Sequence, residues 1–356
     1  VGGPRRRDPA LTAAARAGEG RVGPLRRIRL APDWPWNVVL PIAFAIGSAR
    51  SLITIFVPGL VGSHARIYTE AARAWLAGGD PWQVGPQDVV FAGPPPMLAL
   101  FVPFAGLPDD LIRLIWVAGT AAVAIWMLRR LGLPGYWLGF PPIFQVIVLG
   151  HPEIVLVGLL LFGGLLGGLA PLIKPYVGLV LVAERRWRAV AVGIVAFLVT
   201  LPFLPWPQFL AELPMISATL AQQAHGDGVF GDPLLMLVAA VALLSLGPRL
   251  ALWLATPLLW PSVQPNYELM TLPVLTPLLA TFWALPIPGA TLAGVIALAV
   301  ALQVQRRRRL PTWLEAGLRP VARDTTSKEA ESAVVAAVRR RLVSMLPSGL
   351  APRGAA

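Results

Sequence analysis

The chain predicts an all-α fold that crosses a membrane many times, a polytopic integral membrane protein of about 8–11 transmembrane helices. Three observations carry that prediction. Residues 269–305, 189–211 and 131–150 contain no charged side chain, and apolar runs of roughly 18 or more residues suffice to span a bilayer. Hydrophobic residues make up 56% of the chain and charged residues 13%, with a mean hydropathy of +0.67, whereas soluble domains carry about 25% charged residues. The basic side chains gather at the two ends, from Arg5 to Arg29 and from Arg306 onward, as flanks on the cytoplasmic side of a membrane do.

The elements follow in chain order. Residues 1–35 are rich in Arg, Gly and Pro and read as a disordered, basic cytoplasmic N-terminus. Residues 36–305 form the transmembrane domain, and 306–356 a basic cytoplasmic tail. Within the tail, 326–346 reads as an amphipathic helix with Thr326 or Ser327 as its cap. The first span covers 36–61. In the polar segment 62–90, the pairs Ile67-Tyr68, Ala71-Ala72 and Trp75-Leu76 recur at helical spacing. They predict a short amphipathic helix over 65–77, lying at the outer face and ended by Gly78-Gly79-Asp80-Pro81. Further apolar segments run over 92–108, 110–128, 134–150, 153–183, 188–205, 231–247, 249–262, 268–285 and 288–305. Between them, 206–230 reads as a polar loop carrying Gln222, Gln223, His225 and Asp227.

Arginine placement orients these segments. Arg129-Arg130, the run Arg185-Arg186-Trp187-Arg188 and Arg249 belong on the cytoplasmic side. The outer face then holds 62–108, 150–153, 206–230 and 262–267. This requires 92–108 to dip in and return, and 153–183 to cross once as an interrupted helix. The count is then about nine crossings, although two basic termini require an even number. The sequence leaves that parity open.

Composition also excludes functions. The net charge of +12 sits on membrane flanks and gives no nucleic-acid signal. With no cysteine and three histidines, neither disulfides, thiolate metal sites nor a histidine-rich metal centre is expected. No cofactor is called for.

Lys174 is one of two lysines in the chain and stands alone among apolar residues from 154 to 183. An ammonium at membrane depth costs several kcal/mol (about 2.5–3.5 on insertion scales), so it is kept for a purpose such as holding an anion. The alternative is a lysine near a helix end that snorkels to the headgroups. Glycines and prolines on both sides, in Gly167-Gly168-Leu169-Ala170-Pro171-Leu172-Ile173-Lys174-Pro175-Tyr176, break the helix there. Broken helices are tolerated in a bilayer where they line a cavity or pack inside protein.

Four polar elements converge on the outer face: the loop from His64 to Asp88, Gly150-His151-Pro152-Glu153, the segment 206–230, and Gln264-Pro265-Asn266-Tyr267-Glu268. With Lys174 facing them, they suit a lipid-linked phosphate substrate: a cation for the phosphate, a carboxylate or imidazole for the acceptor's proton, amides and aromatics for the sugar. The same residues also suit plain solvated connections between helices.

The order of these motifs resembles a known family. The run Tyr68-Thr69-Glu70-Ala71-Ala72-Arg73-Ala74-Trp75-Leu76-Ala77-Gly78-Gly79-Asp80-Pro81-Trp82 is similar to the first outer loop of polyprenyl-phosphate-dependent glycosyltransferases of the GT-C type, family 87. Four later stretches match that family's segments in order: Pro94-Pro95-Pro96 through Leu107-Pro108, Gly150-His151-Pro152-Glu153, Leu172-Ile173-Lys174-Pro175 with Arg185-Arg186-Trp187-Arg188, and Trp260-Pro261 through Asn266-Tyr267-Glu268 to Leu272-Pro273. The resemblance covers about 60–275 and neither tail. It implies an integral membrane enzyme, a multi-pass protein of the cell membrane, while the basic flanks place both termini on the cytoplasmic side. Such an enzyme moves a hexose, often mannose, from a polyprenyl-phosphate donor to a glycan or glycolipid acceptor on the outer face. Its partners are that donor, that acceptor and membrane lipid, and no nucleic acid.

The departures from the family pattern shape the site. Four residues before Tyr68, where the family keeps its catalytic aspartate, stands His64. The base candidates are therefore His64, Glu70 and Asp80. In the Gly-Gln-x-Asn motif, His151 and Glu153 replace the usual amides, and 153–183 is short for two spans. The candidates for the donor phosphate are Lys174, with Arg66 beside the matched run, and those for sugar or acceptor are Tyr68, Trp82, His151, Glu153, Asn266 and Tyr267. The aromatics Trp75, Trp82 and Tyr267 also fit an interfacial belt. Three other readings stay open: a transporter or flippase for a lipid-linked or anionic solute, a scaffold binding through its basic tail, and a family member without activity.

Overall fold

The computed structural model describes residues 34–57, 59–84, 91–223, 229–260 and 265–322. Every regular element among the described residues is helical, as the sequence predicts. The α-helices are α1 (Trp34–Ile55), α2 (Ser63–Leu76), α3 (Pro95–Phe101), α4 (Asp109–Leu131), α5 (Pro141–Leu149), α6 (Glu153–Phe162), α7 (Ala170–Ile173) and α8 (Gly178–Ala183). They continue with α9 (Trp187–Thr200), α10 (Trp206–Gln223), α11 (Pro233–Leu246), α12 (Pro248–Leu259), α13 (Pro277–Ala284), α14 (Ala290–Arg307) and α15 (Thr312–Gly317). Residues 1–33, Asp88, His225, Asp227 and the expected tail helix 326–346 lie outside the described residues.

Proline and glycine set the lengths. Among the described residues, α4 alone is by itself long and apolar enough to cross a bilayer, and α5 with α6 qualify as a pair that bends by 117°. The charge-free run 269–305 divides where Pro286, Pro288 and Gly289 separate α13 from α14. Proline lacks an amide N–H and is accommodated at a helix's first turn, where it opens α3, α5, α11, α12 and α13. α3 and its 3-10 continuation Val102–Phe104 are too short to cross: ten residues reach about 15 Å, half of a hydrocarbon core of about 30 Å.

A large core joins α1, α4, α5, α6, α8 and α11–α14. Beside it, a second cluster of Ile67, Tyr68, Trp82, Phe91, Met97 and Phe101 lies under α2. The helix expected over 65–77 is thus present as α2, and it buries Ala65, Ile67, Tyr68, Ala71 and Ala72 against protein. Its other side is stapled by Arg73, whose guanidinium donates to the carbonyls of Ala105 (2.8 Å) and Leu107 (2.5 Å) and pairs with Asp109 at 2.7 Å.

One expectation is corrected. The segment 206–230 is largely helix α10, because Phe209, Ile216 and Leu220 recur at helical spacing and pack on the cluster under α2. The segment after α14 makes two contacts back to earlier residues. Trp36 Nε1 donates to the Trp313 carbonyl at 2.7 Å, and the Val321 amide donates to the Leu275 carbonyl at 2.8 Å. The start of α1 and the segment following α14 therefore lie together.

α1 and α13 cross in backbone contact at Gly47, where an added Cβ would stand 1.8 Å from the Ala284 carbonyl oxygen. Gly47→Ala should therefore destabilise the fold by about 1–3 kcal/mol through overpacking, read as a lowered Tm in detergent. Gly119→Ala, with nothing within 4 Å of its added Cβ, should leave Tm unchanged or raise it slightly, because alanine is the better helix former. Equal behaviour of the two variants would contradict this packing.

Candidate active site

Two glycines bring distant segments together. Gly150 ends α5 in the left-handed region (φ 76°), with its own amide and that of His151 donating to the Val146 carbonyl. Its missing Cβ leaves room for Trp116 and for Gly62, whose Cα would lie 3.4 Å from such a Cβ. Gly62, also left-handed (φ 68°), precedes α2 and donates its amide to the Val148 carbonyl at 2.8 Å. The first residues of α2 are therefore held against the α5–α6 bend, and the His64 and His151 rings lie against each other with centroids 3.7 Å apart and planes tilted by 31°.

Behind this pair stands Glu153, the first residue of α6, with no exposed surface. Its Oε2 lies 3.6 Å from His151 Nδ1 and its Oε1 lies 3.5 Å from Lys174 Nζ. Lys174 occupies the break between α7 and the 3-10 turn Pro175–Val177, in extended conformation (φ −139°, ψ 104°). Its ammonium sits 5.8 Å from the centre of the Tyr267 ring, and the Tyr267 and Tyr176 rings are 4.7 Å apart. The Lys174 side chain is 17% exposed while that of Glu153 is 0% exposed, so the cation lies nearer the protein surface and the carboxylate lies behind it.

The sequence candidates now separate. His64, Tyr68, His151, Glu153, Lys174 and Tyr267 form one electrostatically coupled group. Asn266, beside Tyr267, is buried, and neither of its side-chain amide atoms has a hydrogen-bond partner among the described residues. Glu70 and Arg66 pair with each other at 3.4 Å. At about 100° per residue they lie on the opposite side of α2 from His64 and Tyr68. The structure thus does not bring Arg66 to Lys174, nor Glu70 to the cluster. Asp80 caps the turn Pro81–Gln83 by accepting from the Trp82 amide. Trp82 itself is fully buried, donates to the Gly93 carbonyl and packs against Phe91 and Phe209, which makes it core and not an open sugar platform.

Tyr176 was missed by the sequence reading. It is buried against Trp260 and Tyr267, and its hydroxyl has no hydrogen-bond partner among the described residues. The Lys174-Pro175-Tyr176 run was the available signal, because a tyrosine two residues past a membrane-buried lysine shares its turn. No cluster of His, Cys, Asp and Glu able to hold a metal occurs among the described residues.

Such a site can hold an anion on Lys174 and accept a proton at an imidazole or carboxylate, with tyrosines around a hydroxylated ligand. The model of Glycosyltransferase family 87 matches residues 91–317, which include His151, Glu153, Lys174 and Tyr267. The chain belongs to glycosyltransferase family 87. No curated protein and no solved structure matches it. Family 87 proteins are membrane glycosyltransferases, and the matched region takes in most of the cluster, while His64 and Tyr68 precede it.

Burial holds His64 well below the usual histidine range. His151 and Lys174 push the same way, and Glu153 opposes them. Burial likewise raises the Tyr68 phenol, which stays a hydrogen-bond donor. For a histidine with a depressed folded value, the unfolded chain binds the proton first, near pH 6.5. The fold's stability is therefore complete above about pH 6.5 and declines as pH falls below it. Tm followed from pH 7.5 to 5 should drop in wild type and drop less in His64→Gln. Identical curves would remove His64 from this buried network.

Proposed function

We propose that this glycosyltransferase is a multi-pass enzyme of the plasma membrane, with both termini cytoplasmic. It moves a hexose, mannose being the first candidate, from a polyprenyl-phosphate donor to a glycan or glycolipid acceptor at the outer face. The observation that carries this reading is the Glu153–Lys174 pair, set in a break between helices beside an apolar cavity of about 430 Å³. That cavity is lined by Leu172, Pro175, Leu181, Val190, Phe197 and Phe209. Leu172 and Pro175 flank Lys174 itself, so one ligand with an anionic head and a long apolar tail satisfies both features.

The surface supports the membrane setting. α11 is apolar all round, yet Leu234, Leu237, Val241 and Leu244 form an exposed stripe on it, with Leu244 at 77% exposure. α9 exposes Ile194, Val195, Leu198 and Val199. Contiguous apolar surface of this kind is what lipid tails cover. The contact of Trp36 with Trp313 supports termini on one side, which is the even parity that the basic flanks require.

The reaction is a direct displacement at the anomeric carbon. The acceptor oxygen forms the new glycosidic bond while the bond from that carbon to the phosphate oxygen breaks. Polyprenyl phosphate leaves with the bonding electrons. Lys174 stabilises the charge growing on that phosphate. The Glu153–Lys174 separation of 3.5 Å exceeds the 2.7–2.9 Å usual for a charge-assisted hydrogen bond, so a phosphate oxygen can engage the ammonium without displacing a tight partner. The acceptor's proton passes to His64, which is neutral at physiological pH and less deeply buried than His151. Glu153 holds His151 and Lys174 in register from behind. The bend between α5 and α6 also fits a carrier, but family membership favours transfer.

The test is sugar transfer from radiolabelled polyprenyl-phosphate mannose by the purified protein. Lys174→Ala should lower turnover by about 10²–10³-fold and His64→Ala by about 10²-fold or more. Glu70→Ala and Asp80→Asn should keep wild-type turnover per folded molecule. A donor carrying another hexose would replace mannose if only it is turned over. Full activity in Lys174→Ala, or no transfer from any polyprenyl-linked sugar by folded protein, would overturn the proposal.

A further inference from the structure

α14 carries a feature unrelated to the cluster around Lys174. Two apolar grooves flank it. One, of about 540 Å³, runs between α11 and α14 and is lined by Leu237, Val241, Ser245, Val300, Val304 and Arg307, among others. The other, of about 590 Å³, lies on the opposite flank and ends at Leu310 and Leu314. They share the ridge Ile296, Val300 and Val304, spaced four residues apart on one face of the helix. Val300 is 57% exposed. From Ile296 to Arg307 the groove follows eleven residue steps, about 17 Å at 1.5 Å each. That is close to the depth of one leaflet in a hydrocarbon core of about 30 Å.

One end of this slot is strongly cationic. Arg306, Arg307, Arg308 and Arg309 are all exposed, and none pairs with a carboxylate among the described residues. Arg307 is part of the groove wall. A run of arginines alone reads as a solvated face, and an apolar groove alone as ordinary lipid contact. Joined end to end at leaflet depth, they match a two-chain lipid with an anionic head. The chain's own segment 323–356 is a poorer occupant, because it carries six basic side chains against three acidic ones and would meet like charge at the arginines.

We propose that the face of α14 is a binding site for an anionic diacyl phospholipid, whose chains straddle the Ile296–Val300–Val304 ridge and whose phosphate lies against Arg306–Arg309. The site rests on the membrane reading given above but not on the transfer reaction.

The test is lipid retention by the full-length protein purified in detergent, read by native mass spectrometry with phosphatidylglycerol and phosphatidylcholine of equal chain length. Wild type should retain phosphatidylglycerol roughly tenfold better or more. The preference should vanish in the Arg306→Gln, Arg307→Gln, Arg308→Gln, Arg309→Gln variant, whose exposed positions do not support the core. Val300→Trp should weaken retention of both lipids, and soluble glycerol 3-phosphate should not displace the bound phosphatidylglycerol. Lys174→Ala should keep the preference. Equal retention of both lipids by wild type, an undiminished preference in the arginine variant, displacement by glycerol 3-phosphate, or loss of the preference in Lys174→Ala would each overturn the proposal. The last result would assign the lipid to the cluster at Lys174 instead.

Discussion

The pairing of Glu153 with Lys174 is the interaction on which the site depends. A carboxylate with no exposed surface is costly to bury. Removing one partner of such a pair leaves an uncompensated charge, so the two constrain each other's position. Glu153 opens α6 directly after the Gly150 turn, and Lys174 stands where Pro175 stops α7 from continuing. Both breaks in the helices are therefore where the charges are, and the backbone irregularity and the buried pair belong to one design. The two histidines and three tyrosines then assemble around the pair from α2, from the α5–α6 bend and from the segments holding Tyr176 and Tyr267.

The architecture around the pair consists of short helices closed by proline and glycine. Close backbone approach replaces bulky packing at several crossings, as at Gly47 against α13 and at Gly168 against Gly193. This is the packing expected where lipid surrounds the helices and small residues let them meet. Polar staples secure the ends: Arg73 ties α2 to Asp109, and Glu184 accepts from Arg249 and Trp253.

Much of this was legible in the sequence. Lys174 was marked by its isolation, α2 by its apolar spacing, and the family by five motifs in order. What was not legible follows from geometry that one chain's letters do not state. Glu70 and Asp80 stand beside His64 as base candidates in the sequence, because the Arg66 partner that engages Glu70 and the Trp82 amide that occupies Asp80 are contacts that appear only once α2 and the turn after it are built. Glu153 read as a sugar contact because its pairing with a residue twenty-one positions later depends on two helix breaks. Trp82 read as an interfacial platform, yet the cluster under α2 encloses it. The segment 206–230 reads as a loop because Gln222, Gln223, His225 and Asp227 outweigh the spacing of Phe209, Ile216 and Leu220 in α10.

The central claim is that Lys174, held by Glu153, recognises the phosphate of a polyprenyl-linked substrate. Equilibrium binding of a polyprenyl phosphate, set against the matching polyprenyl alcohol, tests it most directly in wild type and in Lys174→Gln. The account predicts that wild type binds the phosphate at least about tenfold tighter than the alcohol, a difference of about 1.4 kcal/mol, and that Lys174→Gln binds the two alike. A phosphate preference that survives in Lys174→Gln would contradict the account.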